Sequence, residues 1–345
     1  MGARDDWILR YAQNDAFRKR LLYPSPAVKS VSPSSNAVAV IDIGSNSIKV
    51  LVAARDATGR LLALASQTLD ARISAGISQH PPQLSEAGMA GGLAAIQNLL
   101  AVAAPFAPVQ TVLVATSAVR DAANGSAFLD RVLTATGRTI RILSGDEEAN
   151  LIGRGLTCDP AMADAQDFLV FDLGGGSLEC LLFSGRQIKQ ALSLPLGCVR
   201  LTERFIRDVT APLVVAETTA LAVHVRDELK RSGFRFPVTA PAAVFTGGSM
   251  TAVRAIKGAR HGLAMEDTPA SVGLDTLAHL LDELAPLTLE QRKAVSGMPA
   301  ARADVFPAAL VTMLTVADYA HVDRFHHSLY NLRWGLAAEA LASLP

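Results

Sequence analysis

Two short segments of the chain repeat one arrangement of aspartate, glycine turn and hydroxyl side chains. Residues 41–48 read Ile-Asp-Ile-Gly-Ser-Asn-Ser-Ile, and residues 171–178 read Phe-Asp-Leu-Gly-Gly-Gly-Ser-Leu. Asp42 matches Asp172, Gly44 matches Gly174 and Ser47 matches Ser177, all at one offset. A short strand-to-strand loop of this kind can turn successive backbone N–H groups into one concavity that binds phosphate oxygens. Glycine is needed where that backbone takes positive φ or meets its ligand closely. Gly44, Ser45, Asn46 and Ser47 form the first candidate cradle; Gly174, Gly175, Gly176 and Ser177 form the second. One such loop alone says little, because hairpins use Gly and Asn for geometric reasons. Two equivalent loops, each preceded by an acid, say more.

Asp42 and Asp172 end apolar runs, where a carboxylate can hold Mg²⁺ beside phosphate oxygens, directly or through water. Their plain alternative is to cap turns. Lys49 in the first copy is matched by Glu179 in the second, so facing loops would offer a cation on one wall and an acid on the other. A third acidic segment reads Ser144-Gly145-Asp146-Glu147-Glu148-Ala149-Asn150. Ser144 and Glu147 have capping-box spacing, which occupies Glu147 structurally. Glu148 lies roughly 100° further round the helix. It is free to orient an attacking water and accept its proton. Arg120 can clamp phosphate oxygens bidentately, with a surface ion pair as its plain alternative. Gly247 and Gly248 lie between an apolar strand and a helix, where an anion or nucleotide can sit.

These residues need elements to hold them. Residues 37–44, 48–55 and 61–69 read as three strands of a meander. Met89, Leu93, Ile96 and Leu100 recur at helical spacing after Ser85, an N-cap. A strand (111–115), a helix (127–136), a strand (140–143) and a third helix follow. The repeated opening implies two similar domains, 37–160 and 161–345, each beginning strand–turn–strand. Residues 1–36 stand apart as a flexible Pro- and Ser-rich extension, in which Trp7, Tyr11, Phe17 and Leu21 fall on one face of a short helix. Asp5, Asp6 and Asp15 argue against a mitochondrial leader.

Half of the 345 residues are apolar and 19% are charged, as in a globular chain with room for two domains. Lys plus Arg balances Asp plus Glu at 32 each, which argues against a general nucleic-acid binder. A polyanion would then need a local basic surface, for which Arg226, Lys230, Arg231 and Arg235 are candidates. No run is expected to span a bilayer. Cys158, Cys180 and Cys198 form no CxxC pair, which fits a reducing cytoplasm.

Together these segments resemble the exopolyphosphatase and guanosine pentaphosphate phosphohydrolase family of the actin-like and sugar-kinase superfamily. The matching pieces are residues 41–47, Ser117-Ala118-Val119-Arg120, 144–149 and 172–179, followed by 194–201, Gly247-Gly248, Arg302-Ala303-Asp304 and 332–336. The resemblance implies an α/β fold of two ribonuclease-H-like domains, mixed sheets flanked by helices, with the active site in the cleft between them. It implies Mg²⁺-dependent hydrolysis of a terminal phosphoryl group, from polyphosphate or alternatively from guanosine pentaphosphate. Glu148 becomes the base, Asp172 and Glu179 the metal and catalytic acids, and Arg120 a phosphate-binding arginine. The family also implies a homodimer and a final helix folded back on the first domain, and the chain has the short two-domain form. Asn150 stands where the family has arginine, and Leu178 where it has threonine; the first is expected to weaken phosphate binding or a structural ion pair, the second to remove one polar contact near the second loop. Those departures motivate a rival reading as a non-catalytic sensor, and the scaffold a second as a small-molecule kinase.

Overall fold

The computed structural model describes residues 36–237 and 242–344; the helix expected within residues 1–36 lies outside them. The first half runs β1 (Val38–Ile43), β2 (Ser47–Arg55), β3 (Leu61–Asp70), α1 (Glu86–Ala103), β4 (Gln110–Ala115), α2 (Ser117–Asp121), α3 (Gly125–Thr136), β5 (Ile140–Ile142) and α4 (Gly145–Leu156). The second half opens with β6 (Phe168–Leu173), β7 (Leu178–Ser184), β8 (Gln187–Leu194), α5 (Cys198–Phe205) and α6 (Val215–Arg231). It continues with β9 (Ala242–Thr246), α7 (Gly248–Arg260), β10 (Ser271–Gly273), α8 (Leu274–Leu284), α9 (Leu289–Lys293), α10 (Phe306–Tyr319), β11 (Arg324–His327) and α11 (Leu332–Ala342).

Two sheets result, ordered β3-β2-β1-β4-β5 and β10-β11-β9-β6-β7-β8. In the first, β1 pairs antiparallel with β2 and parallel with β4; in the second, β6 pairs antiparallel with β7 and parallel with β9. The sequence repeat is thus a repeat of fold, two ribonuclease-H-like units built on the same strand order. Register preserves it residue by residue, since Asp42 lies opposite Lys49 and Asp172 opposite Glu179.

Alternation along the strands then aims the chemistry. Side chains two apart share a face of a strand. Val38 and Val40 of β1 and Phe168 and Val170 of β6 belong to one buried cluster between the sheets. Asp42 and Asp172 continue those rows on the same face. Leu51 and Ala53 of β2, and Leu181 and Phe183 of β7, enter the same cluster, which puts Lys49 and Glu179 on that face too. Helices α4 and α11 fill the space between the sheets through Leu151, Ile152, Leu336 and Ala337. They approach closely at glycine, because a Cβ on Gly335 would run into the Leu151 carbonyl.

Helix α1 corrects one expectation. With the turn that follows, residues 86–106 are long and apolar enough to cross a membrane. Its many alanines and its Leu, Ile and Met side chains raise hydropathy, but this is a core helix, with Met89, Ile96 and Leu99 buried in the core of the first sheet. Ser85 caps it through a 3.0 Å bond from the Gly88 N–H.

Candidate active site

The two glycine turns meet. A Cβ on Gly175 would lie 2.8 Å from the Ser45 Cβ, and one on Gly176 would lie 2.8 Å from the Ser45 Oγ and overlap the Ser117 Oγ. Side chains at 175 or 176 would therefore force the turns apart. Where they meet, a cavity of about 70 Å³ opens, room for a few waters or one phosphoryl group. Asp42, Gly44, Ser45, Asn46, Ser47 and Lys49 line its first wall. Asp172, Gly174, Gly175, Ser177, Glu179, Gly247 and Gly248 line the second, with Glu148 between. Of the residues singled out from the sequence, Gly176 and Arg120 are not on the lining. Gly176 is consumed by the contact between the turns.

Glu147 and Glu148 divide as their spacing dictates. The Ser144 N–H donates to Glu147 Oε2 at 2.8 Å and the Glu147 N–H returns to Ser144 Oγ at 3.2 Å, completing the capping box. Glu147 is exposed, while Glu148 is 6% exposed and turned into the cavity. Arg120 stands directly behind Glu148. Its Nη1 donates to Glu148 Oε2 at 3.0 Å and to the Leu143 carbonyl at 2.8 Å. The guanidinium expected to clamp phosphate instead holds a carboxylate, because the short helix α2 places it against the start of α4.

Electrostatics concentrate on the acids. Burial pushes Glu148 well above the usual carboxylate range, the Glu179 charge adds to this, and Arg120 opposes it. Glu179 is raised to about 7 by burial and then by Asp172, although it accepts a 2.7 Å bond from Ser193 Oγ. Asp172 rises to about 6, chiefly through burial. Lys49 Nζ lies 3.4 Å from Asp42 Oδ2, giving the first wall its cation. Two polar atoms of the first turn, Asn46 Nδ2 and Ser47 Oγ, are buried without partners among the described residues. Such atoms are rare in native proteins, and here they face a place for a ligand.

Among the described residues no three acidic, histidine or cysteine side chains gather into a cage for a metal. The donors present suit a hard, hydrated cation held by one or two carboxylates with water and phosphate oxygens, as Mg²⁺ is commonly bound. Asp172 and Glu179, neighbours across a strand pair, would hold such a cation if one binds.

Sequence reasoning missed several lining residues, namely Thr116, Ser117, Asn331 and Arg302. Ser117 Oγ lies 3.2 Å from Ser45 Oγ. Arg302 stacks its guanidinium where a Cβ on Gly248 would sit, and it has no acidic partner among the described residues. Both occur in matched segments, yet only the fold shows that they turn inward. Two of the four residues of the expected basic track are already paired: Arg226 with Asp318 at 2.5 Å and Arg231 with Glu228 at 2.8 Å. Asn150 is exposed and donates to the Asp146 carbonyl at 2.7 Å, while Leu178 is fully buried in the core of the second half. Neither departure reaches the cavity.

Comparison with known proteins agrees with this architecture. An exopolyphosphatase from Cytophaga hutchinsonii superposes with a TM-score of 0.79 at 23% identity, over 90% of this chain and 99% of that one. A Ppx/GppA family member from Aquifex aeolicus superposes with a TM-score of 0.73 at 22% identity, over 90% and 99%. At such identities the likeness is one of fold. The family model of the Ppx/GppA phosphatases matches residues 51–344. The chain therefore belongs to the Ppx/GppA phosphatase family, hydrolases of phosphoric anhydrides.

Proposed function

We propose that this protein is a Mg²⁺-dependent exopolyphosphatase that releases the terminal phosphate of inorganic polyphosphate by attack of water. The observation that carries the reading is the meeting of two phosphate turns around a cavity with a buried, high-pKa carboxylate at its wall. Polyphosphate is the substrate class in the name of the Cytophaga neighbour.

In the proposed reaction the terminal phosphoryl group sits between the turns. Its oxygens accept from the backbone N–H groups, the Asn46 amide, Ser47, Lys49 and Arg302. Glu148 orients a water in line with the scissile P–O bond and takes its proton as the new P–O bond forms. The shortened chain leaves with the electron pair of the broken anhydride. A carboxylate whose proton affinity is raised by burial is matched to that task. The transition state is loose, so positioning and charge neutralisation carry most of the rate. A cation at Asp172 and Glu179 would supply further neutralisation of the phosphate oxygens.

Guanosine pentaphosphate presents a similar terminal anhydride. A second cavity of about 410 Å³, lined in part by Ala71, Leu289, Ala300 and Ala301 and sharing Asn46 with the first, gives a nucleoside room. The test is phosphate release from long-chain polyphosphate and from guanosine pentaphosphate, side by side, with Mg²⁺ and with EDTA. Release from polyphosphate that stops in EDTA is expected. Release only from the nucleotide would transfer the assignment to it, and release from neither would end the hydrolase reading.

A further inference from the structure

The loop after β3 carries a residue that composition would class as an ordinary surface arginine. Arg72 takes φ +40°, a left-handed conformation uncommon outside glycine. Its main-chain N–H donates to the Asn46 carbonyl at 2.9 Å, and its Nε donates to the Asn46 side-chain oxygen at 3.2 Å. The other edge of the guanidinium crosses to the second half of the chain. There it makes a two-pronged ion pair with Asp304, with Nη2 2.7 Å from Oδ1, and Nη2 donates to the Ala301 carbonyl at 2.6 Å. Arginine's rigid fork suits this double duty and lysine's single ammonium does not.

The consequence falls on Asn46. An asparagine amide has one acceptor end and one donor end. Arg72 can only donate, so the Asn46 oxygen must face it and the NH₂ group must face away. That nitrogen is buried with no partner among the described residues, on a residue 4% exposed that lines the phosphate cavity. No described residue completes it, and an acceptor arriving from outside, such as a phosphate oxygen, would.

We propose that Arg72 is a positioning residue: by tying the Asn46 side-chain oxygen to Asp304 and Ala301 across the cleft, it aims the Asn46 amide at the substrate phosphate. This rests on reading the cleft as a phosphate site. The first phosphate turn is then fully set only while the two halves are clasped, and affinity depends on a contact that never touches substrate.

The test is a double-mutant cycle on the full chain with Arg72→Ala, Asn46→Ala and the pair. The readouts are calorimetric affinity for inorganic tripolyphosphate in EDTA, and KM and kcat for phosphate release in Mg²⁺. Each single change is expected to weaken tripolyphosphate about 10- to 100-fold, the span of one hydrogen bond to a charged group. In the Asn46→Ala background, removing Arg72 is expected to add less than about threefold, as for two residues acting through one contact. Losses that multiply in the double variant would show that Arg72 is only a clasp, and overturn the proposal. Should Arg72→Ala fail to fold, Arg72→Lys keeps a charge for Asp304 but lacks the Nε donor, and the same loss is expected. Asn46→Asp keeps the acceptor for Arg72 and turns the donor into an acceptor, so it should bind more weakly than Asn46→Ala; equal or tighter binding overturns the proposal. Wild-type protein that binds tripolyphosphate without releasing phosphate would sink the hydrolase reading alone. Wild-type protein that does not bind it would sink this inference as well.

Discussion

Gly176 rests against Ser45, so closely that a methyl group at 176 would come within 2.8 Å of the serine hydroxyl and collide with Ser117. The two copies of the turn are thus built to touch. Gly176→Ala must push them apart or twist the second strand pair. We expect a cost of about 1–3 kcal/mol from overpacking, seen as several degrees of melting temperature, and a larger fractional loss of phosphate release. An unchanged melt with full activity would show that the turns are not pressed together.

The adjacent glutamates separate structure from chemistry. Glu148→Gln should reduce kcat about 10²- to 10⁴-fold and leave KM within a few-fold. Glu147→Gln should leave kcat alone and lower the melting temperature slightly, through the capping box. Steady-state kinetics and melting of the two variants settle the matter; equal kinetic damage from both would remove Glu148 from the role of base.

Stability of the metal-free protein should fall as pH rises through neutrality. Burial raises Asp172 to about 6 and, joined by the Asp172 charge, Glu179 to about 7. The folded state therefore holds these protons more firmly than the unfolded chain between pH 4 and 7. The slope of stability with pH is negative wherever the folded state binds more protons. Asp172 alone represents about 3 kcal/mol across the window. In EDTA the melting temperature should drop from pH 5 to pH 8, and drop less in Asp172→Asn. Equal drops in both would remove Asp172 as a cause. Mg²⁺ should stabilise the wild type more at pH 8, where the acids are ionised; equal stabilisation at pH 5 would exclude them as ligands.

Arg302 and Arg226 make a further contrast. Arg302→Ala should raise KM for polyphosphate about tenfold or more, since it removes from the cavity wall a cation that has no acidic partner among the described residues. Arg226→Ala, on the solvent face of its helix and already paired with Asp318, should change KM less than twofold. A larger effect at 226 would restore a basic track along that helix.

Local order was legible because it depends on neighbours in sequence. Alternation marked the strands, Ser85 and Ser144 marked helix starts, and the capping box explained why Glu148 and not Glu147 was available. The repeated Asp-x-Gly turn disclosed a duplicated fold, since a duplicated pattern of pairing needs a duplicated pattern of residues. What spacing could not convey was direction across the cleft. Arg120 serves Glu148 and not the cavity because α2 sets it behind α4, 23 or more residues away along the chain. Arg302, Asn331 and the bond from Arg72 to Asp304 join segments far apart in sequence, and no local rule connects them. Chain chemistry chose which groups were present; packing of two sheets about two shared helices chose which of them share one cavity.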